Sequence, residues 1–292
     1  LARAFYASKV GTITEMGARM IFIQSQRQLT YEKRKVEDRM QKNHTERKVL
    51  CFSGKDVRKF LQDLITNDIS KVEKGLLYAA LLGPQGKFLF DFFLFSKDDY
   101  IFLDCHTGSV EALCQRLLMY RLRKDVRITS TDLIVSCGIN DNPEGAMVDP
   151  RHPDMGWRYY GERLDVDFVD WTALRIRLGI PALEKELLAD TYILEMRFEQ
   201  LNGVDFRKGC YIGQEITARM KHKTELRKGI AKAKLSKEVP LHTRITSEGK
   251  DIGFVCSQSA GEALVYVRYQ KIGEAMIAGD AEVMEVNPDF VT

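Results

Sequence analysis

Hydrophobic and polar positions follow different rules before and after residue 48. Over 1–23 apolar residues occur without a sustained period, and 24–48 is mostly polar and charged. From Val49 the pattern becomes regular. Residues 49–53 read as a strand. Val57, Phe60, Leu61, Leu64 and Ile65 then fall at i, i+3, i+4, i+7 and i+8, one apolar face of a helix that ends at Asn67-Asp68. Apolar runs at 76–82 and 87–95 flank Gly83-Pro84-Gln85-Gly86, so they predict two strands joined antiparallel by a four-residue turn, with a third strand over 100–104. After Gly108, the positions Val110, Leu113, Leu117 and Leu118 mark a helix ending in Arg121, Arg123 and Lys124. Strands follow at 126–130 and 133–137, a proline-bearing loop at 140–154, and a helix over 170–178 that Gly179-Ile180-Pro181 stops. Beyond Gly229, short apolar strands recur at 230–235, 252–256, 263–267 and 282–286 with no helical period, which predicts a small all-β module. Hairpins interleaved with helices predict an α+β fold rather than a doubly wound parallel sheet. Three regions result: an extension at 1–48, weakly ordered, a main domain at 49–228 and a β module at 229–292.

Composition narrows the class. The 292 residues suffice for one large or two ordinary domains, and 45% hydrophobic with 29% charged residues is ordinary for a soluble globular protein. The net charge of +3 is too small to diagnose a nucleic-acid or membrane partner. No run approaches the roughly 18–20 apolar residues that a spanning helix needs. The extension admits two readings. Arg3, Ser8, Lys9, Thr12, Thr14 and Arg19, against the single acid Glu15, have the composition of a targeting segment. The plainer reading is a weakly ordered extension, or an upstream start with Met40 opening the body. The six cysteines, Cys51, Cys105, Cys114, Cys137, Cys210 and Cys256, are scattered and form no C-x-x-C pair. That argues against a zinc site or a cluster cradle built from one segment, and it suits a reducing compartment.

The most specific string is Lys208-Gly209-Cys210-Tyr211-Ile212-Gly213-Gln214-Glu215. Its two glycines let the backbone turn tightly and come close to a partner. Gly213 opens a helix over 214–223. A thiol just before a helix start, with Lys208 nearby, is expected to have a lowered pKa, and the thiolate can attack, redox-cycle or ligate metal. The alternative is a buried cysteine in a glycine-bounded turn. The basic stretch Arg219, Lys221, His222, Lys223, Arg227 and Lys228 suits an anionic ligand tail, RNA or a solvated helix face. It lacks the interleaved aromatics of RNA readout.

The string resembles the signature of the folate-binding YgfZ family, aminomethyltransferase-like proteins that help assemble or repair iron–sulfur clusters. Residues 60–68 are similar to that family's first helix and its polar end, 83–91 to its turn and second strand, and Gly179-Ile180-Pro181 to the break after its Trp-Arg helix. The resemblance runs from about Val49 onward. It implies an aminomethyltransferase-like folate-binding fold with a C-terminal all-β barrel, and tetrahydrofolate or a one-carbon derivative in a central cleft. It implies Cys210 and Asp91 as the reacting residues, with Lys208, Gly209, Tyr211, Gly213, Gln214, Glu215, Arg219 and Arg177 around the cofactor, and no resident metal. Arg177 departs from the pattern: working aminomethyltransferases carry a carboxylate there to grip the pterin, and a cation cannot accept the paired donors of that ring. The implied role is an accessory factor acting through Cys210 without conventional turnover. Its expected partners are folate and iron–sulfur enzymes or cluster carrier proteins, with no membrane or nucleic acid, in a monomer of the bacterial cytoplasm or, alternatively, the mitochondrial matrix. Two other readings stand beside it: a tetrahydrofolate-dependent one-carbon transferase with Asp91 as proton handler, and a tRNA-modification protein using the 219–228 stretch.

Overall fold

The computed structural model describes residues 46–223 and 225–290, and the expectations placed on the first 45 residues lie outside them. Strand β1 is Arg47–Ser53, so Arg47 and Lys48, assigned above to the extension, begin a core strand. Their polar character hides them in the sequence, but both side chains find partners across the sheet region: Arg47 donates to Asp104 and Lys48 to the Thr131 carbonyl. Helix α1, Val57–Gln62, buries Val57, Phe60 and Leu61 but ends before the predicted Asn67-Asp68; Leu64 and Ile65, the rest of the marked face, are buried in the turn beyond it. A 3₁₀ turn, Ile69–Lys74, starts on Asp68, whose side chain accepts from the Ser70 N–H.

Strands β2 (Leu77–Leu82), β3 (Phe88–Lys97), β4 (Tyr100–His106) and β5 (Arg127–Ser130) complete an antiparallel sheet of order β2-β3-β4-β1-β5. Every residue of β2 is buried, because both faces of the sheet are covered. One face packs Leu50, Phe52, Phe92 and Leu94 against α1 and against α2, Val110–Arg121, through Phe60, Leu61, Leu113 and Leu117. The other face, carrying Val49, Tyr78, Phe93 and Phe95, packs against a second, three-stranded sheet and α3. That sheet has the order β6-β8-β7, from β6 (Ile134–Gly138), β7 (Met147–Val148) and β8 (Trp157–Gly161). Helix α3 is Trp171–Leu178; Asp170 caps its start by accepting from the Ala173 N–H, and Gly179 ends it in the left-handed conformation. Helix α4, Gln214–Lys223, follows a long irregular connection.

The C-terminal strands close into a barrel of order β10-β11-β12-β9-β14-β13, which leaves no free edge. They are β9 (Lys228–Leu235), β10 (Arg244–Ser247), β11 (Lys250–Ser259), β12 (Glu262–Arg268), β13 (Met276–Ala278) and β14 (Ala281–Asn287). The four expected strands correspond to β9, β11, β12 and β14. Strands β10 and β13, four and three residues long, are too short to show alternation. Arg175 of α3 fastens the barrel to the main sheet region: it reaches Glu186 at 3.1 Å and donates to the Ser257 hydroxyl of β11. The segment after β14 folds back, and Arg197 donates to the carbonyls of Pro288 and Phe290.

Candidate functional site

The string around Cys210 is held from three sides. Gly213 has φ +82°, and a Cβ there would lie 2.7 Å from the Gly83 carbonyl oxygen and 3.1 Å from the Gly86 Cα. Gly86 has φ +72°, and its own Cβ would lie 2.9 Å from the Ile216 Cβ. The turn before β3 and the start of α4 therefore meet glycine on glycine, at a separation no side chain permits. Two of the sequence motifs are one structural joint.

Lys208 provides the second hold. Its ammonium is buried and donates to the carbonyls of Gln62 at 2.7 Å, Ile65 at 2.6 Å and Asn67 at 3.0 Å. These are carbonyls that the end of α1 and the following turn leave without helical partners. Burial pulls the Lys208 pKa down to about 8, against the pull of Asp68, Asp63 and Asp205. All three N–H groups serve the end of α1 and the turn after it, so Lys208 has a structural role beside the charge expected of it near the thiol. Tyr211 is the third hold: its ring is buried, and burial pushes its hydroxyl up to about 12.

Between these anchors Gly209 and Cys210 are exposed. Cys210 is the one exposed thiol of the six. Cys105 and Cys256 are buried and Cys51, Cys114 and Cys137 half-buried, and burial pushes all five thiols up, Cys105 to about 12. A Cβ on Gly209 would meet no atom within 4 Å, so, unlike Gly213, the close approach read for it has no partner within the described chain. Gln214 is half-buried at the start of α4. Glu215 and Arg219 pair with each other at 2.9 Å on its exposed face. Lys221 and Lys228 also pair with carboxylates, Glu199 and Glu195, so much of the basic stretch is locally neutralised.

Asp91 occupies a different place. It is half-buried on β3, and its Oδ2 accepts from the Tyr78 hydroxyl at 3.0 Å. It lies five residues beyond Gly86, about 16 Å along the strand at roughly 3.3 Å per residue. Beside it sits a buried ionic cluster absent from the sequence reading. Asp104, fully buried, accepts from Arg47 at 2.7 Å, from Arg158 at 3.3 Å and from the Tyr160 hydroxyl at 2.9 Å. Asp149 takes Arg151 at 3.0 and 2.7 Å and Arg158 at 3.1 Å. Burial alone would raise the Asp149 carboxyl, but Arg151 and Arg158 outweigh it and hold it below the usual carboxylate range. The guanidinium groups of Arg47, Arg151 and Arg158 lie 5.5, 4.8 and 3.9 Å from the centre of the Phe93 ring. The one signal in the sequence is a carboxylate, Asp104, closing an apolar strand run.

Arg177 stands at a third place. It is exposed on α3, and among the described residues its guanidinium makes no ion pair; the inward arginine of that helix is Arg175. The candidate residues thus separate into the Cys210 loop, the Asp91 position on β3 and the outer side of α3.

The family described as CAF17, C-terminal beta-barrel domain, matches residues 227–292. The chain is 32% identical over 218 residues to the mitochondrial iron-sulfur cluster assembly factor IBA57 homolog of Mycosarcoma maydis, covering 63% of this chain and 54% of that protein. It is 28% identical over 254 residues to the mitochondrial iron-sulfur cluster assembly factor IBA57 of Homo sapiens, covering 71% of each. The chain spans about half the length of the Mycosarcoma maydis relative. Among solved structures, the glycine cleavage system aminomethyltransferase T of Bartonella henselae superposes with a TM-score of 0.67 over 84% of both chains at 13% identity, a likeness of fold. This chain carries an aminomethyltransferase-like α+β fold with a closed six-stranded C-terminal barrel, and the curated proteins it is similar to are iron–sulfur cluster assembly factors.

Proposed function

We propose that this protein is an accessory factor in iron–sulfur cluster assembly, related to the YgfZ proteins, and that it acts through Cys210. The observation that carries the reading is one exposed thiol on a loop whose flanks are immobilised by Lys208, Tyr211 and Gly213. A thiolate is a soft ligand suited to iron–sulfur clusters. One thiol supplies one of the several cysteine ligands a cluster takes, so a carrier or recipient protein provides the rest and the cluster is cargo. The names of the relatives favour a mitochondrial setting over a bacterial cytoplasm for this chain.

Tetrahydrofolate or a one-carbon derivative is the proposed small-molecule ligand. The fold likeness supports it, and so does the donor set. Asp91 Oδ2 takes the Tyr78 hydroxyl, while among the described residues Oδ1 receives no hydrogen bond and is free to accept from pterin N–H groups. The unpaired Arg177 guanidinium suits a carboxylate of the folate tail. At micromolar affinity, ligand at about 100 Kd stabilises the folded state by about 2.7 kcal/mol, a rise of several degrees in melting temperature. Asp91→Asn is expected to shrink that rise. Absence of any rise with wild-type protein would remove folate from the account.

Function is tested in a strain lacking the protein, complemented with variants and assayed for cluster-enzyme activity. Cys210→Ser is expected to fail despite an unchanged melting temperature, while Asp91→Asn retains partial function. The reverse pattern, with the serine variant equal to wild type and Asp91→Asn inactive, would replace the accessory role with one-carbon transfer at Asp91.

A further inference from the structure

Between β8 and α3 the chain runs without regular structure through Leu164, Asp165, Val166, Asp167, Phe168 and Val169. Its composition is that of a strand: apolar residues alternate with carboxylates, and the valines and phenylalanine favour extended backbone. Yet it belongs to no sheet. The Leu164 N–H donates to the Ser136 hydroxyl and the Val169 carbonyl accepts from Trp171. Among the described residues, the backbone N–H and C=O groups of 165–168 have no hydrogen-bond partner. These unpaired groups are open to hydrogen bonds from a partner's backbone.

A groove runs beside it. A cavity of about 280 Å³ has an apolar floor of Ile139, Trp157, Val166 and Val169, and Asp141, Asp165 and Asp167 line it. Its walls are tied together before any partner arrives. Asn140 donates to Asp167 at 2.7 Å, and its carbonyl accepts from the Trp157 indole N–H at 3.0 Å. Phe168 and Ile139 are exposed. Glu144, Glu162 and Asp170 are exposed nearby in sequence, and Arg163 is the one exposed lysine or arginine over 139–170.

We propose that this groove and the edge along 165–168 form a docking site for an extended, basic segment of a partner protein. The segment adds a strand to the unpaired backbone, seats apolar side chains in the groove and places lysines or arginines over Asp165 and Asp167. The backbone edge supplies pairing, the groove register, and the carboxylates selectivity by charge. The same carboxylates repel nucleic acid and anionic bilayers, so the charge of the site selects among occupants.

The test is fluorescence-polarisation titration of the full chain with a labelled KVKVKVK peptide. Saturable binding is expected, weakened about tenfold by the double variant Asp165→Lys, Asp167→Lys. An EVEVEVE peptide should not bind, and KVKVKVK with alternate backbone nitrogens methylated should bind much more weakly. Asp165 is exposed and holds no hydrogen bond among the described residues, so Asp165→Lys alone should melt like wild type and still weaken the peptide, which separates lost charge from loss of the Asn140–Asp167 tie. No saturable binding at millimolar peptide would overturn the proposal. So would equal binding by the double variant, or equal binding by KGKGKGK, which carries the charge without the strand preference. Sedimentation showing a dimer of this chain that the double variant disrupts would overturn it too, by assigning the site to a second copy.

Discussion

Asp104→Ala is expected to destabilise the protein by about 3–5 kcal/mol, the largest loss we anticipate for a single truncation in this chain. Asp104 is fully buried on β4 and is shared by Arg47, Arg158 and Tyr160. Its removal leaves the three guanidinium groups of the cluster with Asp149 as the one remaining buried carboxylate, and Arg47 loses its ion-pair partner. The cluster holds Arg47, Arg151 and Arg158 against Asp104 and Asp149, and Asp91 lies close enough to act on Arg47 electrostatically. Asp91 therefore has a share in charge balance as well as in any ligand contact. For a domain of this size the loss corresponds to a melting temperature roughly 10 °C lower. The exposed pair Arg244–Asp251, at 3.0 Å, supplies the control: Asp251→Ala should cost less than about 1 kcal/mol despite similar geometry. Urea denaturation of both variants measures the difference. Equal, small losses would show that the buried cluster is solvated and carries no such weight.

Gly213→Ala is the second large effect, about 2–4 kcal/mol. Two penalties add. The residue sits at φ +82°, where an L side chain is strained, and the new methyl would stand 2.7 Å from the Gly83 carbonyl oxygen, a backbone atom that cannot swing away. The joint between the turn at 83–86 and α4 must open, and the Cys210 loop moves with it. Gly209→Ala, in the same string, is expected within about 0.5 kcal/mol of wild type, since its Cβ meets nothing and its φ is not left-handed. Thermal melts separate the two. A Gly209→Ala variant that melts normally yet fails in complementation would mark the point where a partner approaches Cys210. If Gly213→Ala melts like wild type, the glycine contact with the turn is not what holds the loop.

Local periodicity identified α1, because a helix face repeats every three or four residues whatever surrounds it. It identified the hairpin of β2 and β3, since turn composition and flanking apolar runs are local properties, and the α+β class followed from the order of elements. The glycine string located an exposed cysteine. The sequence did not distinguish Gly209 from Gly213: both are the same residue, and only the neighbour brought in from residues 83–86 makes one of them obligatory. It marked Lys208 as a cation near the thiol and could not show that three carbonyls from residues 62–67 hold its ammonium. Arg47, Asp104, Asp149, Arg151 and Arg158 drew no notice, because a charged residue in a strand or loop reads as solvent-facing until the opposing face is known. Nor could it show that 165–168, a strand by composition, would find no strand to pair with. Propensity and period act over a few residues and are written in the chain. Charge pairing, close backbone approach and vacant strand edges depend on residues tens to more than a hundred positions apart, and tertiary packing alone decides them.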